Sequence, residues 1–206
     1  MIVYFTEIDF ISNSVRENAQ MQKNYGAALR DFMIKNVTAN ISNIEIAVTE
    51  TGKPYVVGRD DIHFNLSHSG RLAVCALSQK HEIGIDIELI ENGNINAESI
   101  ARRYFTADEN EYLQKSNYGL PGFYRMWTRK ESFLKCTGEG LGGGLKSINT
   151  ISGNGGRPFH VRDGNSAQFK FTDYTLKDSF NGEYAVSVCH SVSEDVPAEI
   201  LRCTIK

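Results

Sequence analysis

An α+β fold in two similar halves is what this chain predicts, and three observations predict it. Two capping-box patterns, Ser14-x-x-Glu17 and Thr106-x-x-Glu109, each open a helical stretch. Short apolar or alternating runs with the period of a strand lie between the helical stretches. A glycine-led string, Gly70-Arg-Leu-Ala-Val-Cys-Ala, is echoed by Gly182-Glu-Tyr-Ala-Val-Ser-Val.

In order along the chain, Ile2–Glu7 reads as a strand, and the first capping box starts a helix running to about Asn36. Strands follow at Ile44–Thr49, Ile62–Leu66, Leu72–Leu77 and Ile83–Glu88. The polar stretch Glu91-Asn-Gly-Asn-Ile-Asn is the best linker, which divides the chain into residues 1–90 and 91–206. Ala97–Tyr104 reads as a short helix, and the second capping box starts another that ends near Ser116. A further helix spans Phe123–Cys136, with Gly138 as its C′ residue, and the chain from Lys146 onward reads as several strands.

Composition narrows the function classes. A net charge of −3 over 206 residues gives no global reason to expect nucleic acid. The cysteines Cys75, Cys136, Cys189 and Cys203 form no C-x-x-C pair, which argues against a zinc site and a disulfide framework. No signal-peptide pattern opens the chain, and no apolar run approaches the roughly 20 residues of a membrane span. A cytoplasmic protein without a membrane or nucleic-acid partner is expected.

Three clusters carry chemistry. In Gly84-Ile85-Asp86-Ile87-Glu88, strand geometry turns Asp86 and Glu88 to one side and the isoleucines to the other. Paired carboxylates suit a hard cation such as magnesium, although two solvated acids on a half-exposed strand have the same pattern. In Trp127-Thr-Arg-Lys-Glu131-Ser-Phe-Leu-Lys135, residues four apart share a helix face, so Trp127, Glu131 and Lys135 form a stripe. An ordinary i,i+4 ion pair beside a core tryptophan reads the same way. In Phe64-Asn-Leu-Ser67-His68-Ser69-Gly70, a strand enters a turn where a histidine between two serines offers donors to an anion, with Gly52-Lys53-Pro54 just upstream; a polar hairpin is the alternative. Gly138-Glu-Gly140-Leu-Gly-Gly143 matches G-x-G-x-x-G, but it follows a helix where a dinucleotide site requires a strand before it and a helix after it.

Taken together and in this order, the stretches around Lys53, Ser67-His68-Ser69, Asp86/Glu88 and Glu131/Lys135, followed by Gly138-x-Gly140-Leu141, resemble the 4′-phosphopantetheinyl transferase superfamily. The likeness is to its larger type, typified by the surfactin-synthetase activator. It implies a pseudo-dimer of two similar α+β halves with the active site in the cleft between them, holding coenzyme A as co-substrate. It implies transfer of 4′-phosphopantetheine to a serine of an acyl, peptidyl or polyketide carrier protein, with release of 3′,5′-ADP. By the same resemblance, Asp86, Glu88 and Glu131 would ligate magnesium, and Glu131 and Lys135 would be catalytic. Lys53, Ser67, His68 and Lys135 would bind the coenzyme. The proton acceptor is then Glu131 or a metal-bound water. The first fifty residues carry less of the likeness, offering Arg16, Lys23 and Arg30 where members show several spaced arginines. A monomer is expected. The competing readings are a non-catalytic coenzyme A or carrier-binding module and a different magnesium enzyme acting on a nucleoside pyrophosphate.

Overall fold

Two strands that share no backbone ladder, one at the edge of each main sheet, lie side by side in the middle of the molecule and set its plan. The computed structural model describes residues 1–9, 12–38, 44–91, 96–116, 119–140, 144–151, 159–160, 169–191 and 193–205. Most of the expected linker, and Leu141 to Gly143 of the glycine-rich stretch, lie outside them.

Strand β1 (Ile2–Glu7) leads to helix α1 (Val15–Val37). Ser14 caps α1 by accepting the Glu17 N–H at 3.4 Å, while the Glu17 carboxylate turns to Ser12 and leaves the capping box half formed. Strands β2 (Ile46–Val48), β3 (Pro54–Val56), β4 (His63–Ser69), β5 (Leu72–Ser78) and β6 (Gly84–Leu89) follow. Next come helices α2 (Ala97–Tyr104), α3 (Ala107–Ser116) and α4 (Gly119–Thr137). Thr106 and Glu109 complete the second capping box in both directions, at 3.2 and 2.8 Å. Gly138, at φ 73°, returns its N–H to Leu134 at 2.9 Å and closes α4, a conformation glycine adopts without strain. Strands β7 (Ile148–Asn149), β8 (Phe159–His160), β9 (Phe169–Lys177), β10 (Glu183–Ser191) and β11 (Leu201–Arg202) complete the described elements.

The first sheet has the order β11-β1-β5-β4 and the second the order β6-β10-β9. Every residue of β5 is buried, and its alternation divides the core. Leu72, Val74 and Ala76 meet Ile83, Ile85, Ile87, Tyr184, Val186 and Val188 between the two sheets. Cys75 and Leu77 face Leu29, Met33 and Ile34 of α1. Each of those large α1 side chains is fully enclosed, worth about 1.5–3 kcal/mol on transfer from water. On the far side, Ala185 and Cys189 of β10 turn to the aromatic and aliphatic face of α4. The layers therefore run α1, first sheet, second sheet, α4.

The echoed strings are β5 and β10, each paired on both sides in its sheet and each backed by a helix earlier in the chain. The sheets do not divide at residue 90. β6 joins β10 in the second sheet, and β11 returns to pair in parallel with β1 of the first. The four cysteines are free and buried. Among the described residues, no helix is long and apolar enough to cross a membrane.

Candidate active site

The seam between β4 and β6 is where the sequence-predicted chemistry gathers. β4 is longer than its apolar pattern suggests. Ser67, His68 and Ser69, expected at a turn, continue the strand and pair with Val74, Ala73 and Leu72. Its polar side chains Asn65, Ser67 and Ser69 sit two apart and reach across to β6. Asn65 accepts the Ile85 N–H at 3.0 Å, Ser67 donates to Asp86 Oδ1 at 2.9 Å, and Ser69 donates to Glu88 Oε2 at 3.0 Å.

Helix α4 closes the seam from above, and a glycine decides how near it comes. A Cβ on Gly84 would stand 2.0 Å from the Ser132 carbonyl oxygen and 2.5 Å from the Cys136 nitrogen, well inside contact. With that methyl missing, α4 lies against β6, and Lys135 Nζ reaches Asp86 Oδ1 at 2.7 Å, Ser67 Oγ at 3.0 Å and the Ile85 carbonyl at 3.3 Å. Asp86 is only 4% exposed, more enclosed than a half-exposed strand implies, and its Oδ2 is buried without a hydrogen-bond partner. A buried carboxylate oxygen with nothing to accept is costly, and it marks where a ligand is wanted.

The electrostatics follow from crowding. Burial, then the charge of Asp86, pushes the Glu88 carboxyl up to about 7, against the opposing help of Ser69 and Lys135. Burial, then Asp86, also raises Glu131, with Lys135 opposing. These acids repel one another unless a cation or proton intervenes. Among the described residues, no three carboxylate, imidazole or thiol groups converge closely enough to hold a metal ion by themselves.

Two cavities flank the acids. One, of about 330 Å³, is lined by Gly52, Lys53, Asn65, Glu131, Lys135 and Gly138. The other, of about 320 Å³, is lined by Ser69, Glu88, Phe123, Tyr124 and Trp127 among others. The Trp127–Glu131–Lys135 stripe thus runs from one cavity to the other, with Trp127 stacked on Phe123 and edge-on to Tyr104.

The structure brings Ser67, Asp86, Glu88, Glu131 and Lys135 together. Lys53 enters the first cavity from β3's leading turn, where it is bound to Glu82 and donates to the Cys136 carbonyl at 2.7 Å. His68 stands apart: it faces the opposite side of β4 from Ser67, is exposed, and lines neither cavity. Protein packed around its ring, then the positive charge of Lys135 and more weakly of Lys23, lowers its pKa. Sequence reasoning missed Glu82, which holds Lys53 and meets His63 Nδ1 at 2.9 Å, and it missed the service of Asn65 and Ser69. The period-2 polar stripe Asn65, Ser67, Ser69 was the available signal for the latter; nothing local marks Glu82.

The profile of the 4′-phosphopantetheinyl transferase superfamily matches residues 82–189, a stretch containing β6, α4 and most of β10. A 4′-phosphopantetheinyl transferase of Bacillus subtilis is 36% identical over 167 residues, covering 77% of this chain and 70% of that protein. The transferase gsp of Aneurinibacillus migulanus is 39% identical over 115 residues (55% of this chain, 46% of that one), and Sfp of Bacillus subtilis strain 168 is 34% identical over 149 residues (65% and 63%). The chain therefore matches between about half and 70% of the length of these relatives. The solved holo-[acyl-carrier-protein] synthase of Thermotoga maritima superposes with a TM-score of 0.40 at 21% identity, over 53% of this chain and 62% of that one. With the family profile spanning more than half of the residues and the B. subtilis transferase matched over most of both chains, this chain belongs to the 4′-phosphopantetheinyl transferase superfamily, as an enzyme that transfers phosphopantetheine to carrier proteins.

Proposed function

We propose that the β4–β6 seam takes coenzyme A and a magnesium ion, with Asp86, Glu88 and Glu131 as the protein's metal ligands, and delivers 4′-phosphopantetheine to a carrier-protein serine. The single observation that carries this is the buried, partnerless Oδ2 of Asp86 beside Glu88, in an acid whose other oxygen is already held against a cation, Lys135. The donor set fits the metal: hard carboxylate oxygens, too few to enclose it alone, leave positions for pyrophosphate oxygens and water. When bound, magnesium supplies positive charge to the phosphate oxygens as the serine oxygen bonds to phosphorus and the bond to 3′,5′-ADP breaks.

The chain's own residues do the rest. Lys135, now on Asp86, would turn to the departing 5′-phosphate of 3′,5′-ADP once another positive charge meets the acids. Glu131, with its proton affinity raised by burial and by Asp86, is matched to accept the serine proton; a water held by Asp86 and Glu88 is the alternative acceptor. Lys53 and Lys135 line the first cavity and Ser67 is bonded to Lys135, so all three would meet the coenzyme's phosphates there. His68 lines neither cavity, so it would meet the 3′-phosphate only where the nucleotide reaches past the first cavity; there an anion would offset the burial, and then the Lys135 charge, that lower its pKa.

We read the architecture as two similar halves, residues 1–90 and 91–206, related as a pseudo-dimer with the seam as their cleft and β6 and β11 exchanged between them. The matching roles of β5 with α1 and β10 with α4 support it. An internal pseudo-dimer makes a monomer the expected state. The carrier is acyl, peptidyl or polyketide. The test is incubation with coenzyme A, magnesium and an apo carrier protein, followed by intact-mass measurement. One phosphopantetheine should be added per carrier, and chelation should abolish it; an unmodified carrier with coenzyme A still bound would leave only a binding module.

A further inference from the structure

We infer that Ser69 is a positioning residue that holds Glu88 in ligating orientation, an inference that rests on the magnesium reading above. β4 and β6 have no ladder between them, so outward N–H groups of β6 depend on side chains of β4. Asn65 and Ser69 both serve that need, but differently. Asn65 accepts the Ile85 N–H at 3.0 Å and is buried, a purely backbone stitch. Ser69 accepts the Leu89 N–H at 3.0 Å, and the same hydroxyl meets Glu88 Oε2 at 3.0 Å.

A backbone N–H can only donate. With the Leu89 N–H aimed at the Ser69 oxygen, the hydroxyl's single proton is left for Glu88, and each bond polarises the other. The serine thus converts a rigid feature, the β6 backbone, into a fixed direction for a carboxylate with several rotatable bonds. This matters because Glu88 is surrounded by reasons to turn away: Asp86 and Glu131 both repel it. Among the polar residues of β4, Ser67 already answers to Asp86 and Lys135. Ser69 is the counterpart for Glu88, and both Ser69 and Glu88 line the second cavity, so this bond stands at the mouth of the site. Groups that orient metal ligands in this way typically cost 10–100-fold in metal affinity or activity when removed.

The test is Mn²⁺ binding to the intact protein with coenzyme A present, followed by loss of the free-ion paramagnetic resonance signal. Wild type, Ser69→Ala, Ser69→Thr and Asp86→Ala are compared, with melting curves taken in the absence of metal. Ser69→Ala should weaken Mn²⁺ by about tenfold or more and raise the KM for magnesium while kcat at saturating magnesium changes little. Ser69→Thr, which keeps the hydroxyl, should restore both, and Asp86→Ala should abolish Mn²⁺ binding. Wild-type Mn²⁺ affinity in Ser69→Ala overturns the proposal, as does a weakening that threonine fails to rescue, which would make Ser69 a stitch like Asn65. Wild-type affinity in Asp86→Ala instead overturns the magnesium reading itself, and this inference with it.

Discussion

Helix α4 carries two lysines five residues apart, each paired with an acid, and the two pairs have opposite characters. Lys130 and Glu109 meet at 2.7 Å with both side chains fully enclosed. Lys130 also donates to the Leu145 carbonyl at 2.8 Å and to that of Ile148, while Glu109 accepts from Thr150 N–H and hydroxyl and from Thr106 N–H. Burial lowers the Lys130 pKa, and Glu109 offsets it. Lys135 and Asp86 also meet at 2.7 Å, but the lysine is 29% exposed, and one oxygen of the aspartate has no partner. Buried charge is tolerated when its hydrogen-bonding capacity is used. The first pair uses it and joins α3, α4 and the β7 region. The second keeps capacity in reserve, beside a cavity. An ion pair alone says little about role; what is left unsatisfied says more.

Breaking the enclosed pair should have the largest effect. Glu109→Ala leaves a charged lysine without a counter-ion and Thr150 without its acceptor, so stability should fall by about 3–5 kcal/mol, read by denaturant unfolding. Any loss of activity should then track the folded fraction. A loss under about 1 kcal/mol would mean that the enclosure opens easily.

Disturbing the open site should act on rate. Glu131→Gln keeps the shape but removes a charge that the proposed site uses for metal and for proton transfer. Transfer to apo carrier should fall at least about tenfold, roughly 1.4 kcal/mol of barrier, with unfolding nearly unchanged. An active Gln variant would reduce Glu131 to scaffolding and erase its side of the contrast.

A third effect is in Glu88 and concerns pH. Its carboxyl is raised from an ordinary 4.5 to about 7, so the folded protein binds that proton more tightly than the unfolded chain does. Without metal, Glu88 therefore has no effect on stability below about pH 4.5 and becomes increasingly destabilising as pH rises toward 7. Glu88→Gln should melt at a higher temperature than wild type above pH 7, with the gap closing toward pH 4.5. A constant gap across that range would assign the difference to something other than this carboxyl.

Much of the fold could be read locally. β1 and α2 have their expected bounds, and α3 begins immediately after its capping threonine. α4 starts earlier than Phe123, at Gly119, because Pro121 falls in the first turn, where its missing N–H costs nothing. Ser67-His68-Ser69 resembled a turn since nothing on the strand itself shows that its polar side is met by another strand's acids. β3 went unread because three residues carry no period. At the site, the spacing in Asp86-x-Glu88 and Glu131-x-x-x-Lys135 predicted which groups share a face, and the seam joins them. What could not be read depends on packing distant segments: Glu82 on Lys53, the closure of Lys130 around Glu109, and the burial that leaves Asp86 Oδ2 alone.

The parallel pairing of β11 with β1 carries a consequence for how the molecule is made. β1 sits between β5 and β11, so until Leu201 and Arg202 arrive, its outer edge offers free N–H and carbonyl groups. The contact that secures this closure, Arg202 to Glu7 at 2.7 Å, spans 195 residues of chain. During synthesis, β1 leaves the ribosome well before β11 and must wait for it, with an exposed edge that other chains can extend. A nascent chain carrying a complete seam but lacking β11 would be the species most in need of a chaperone.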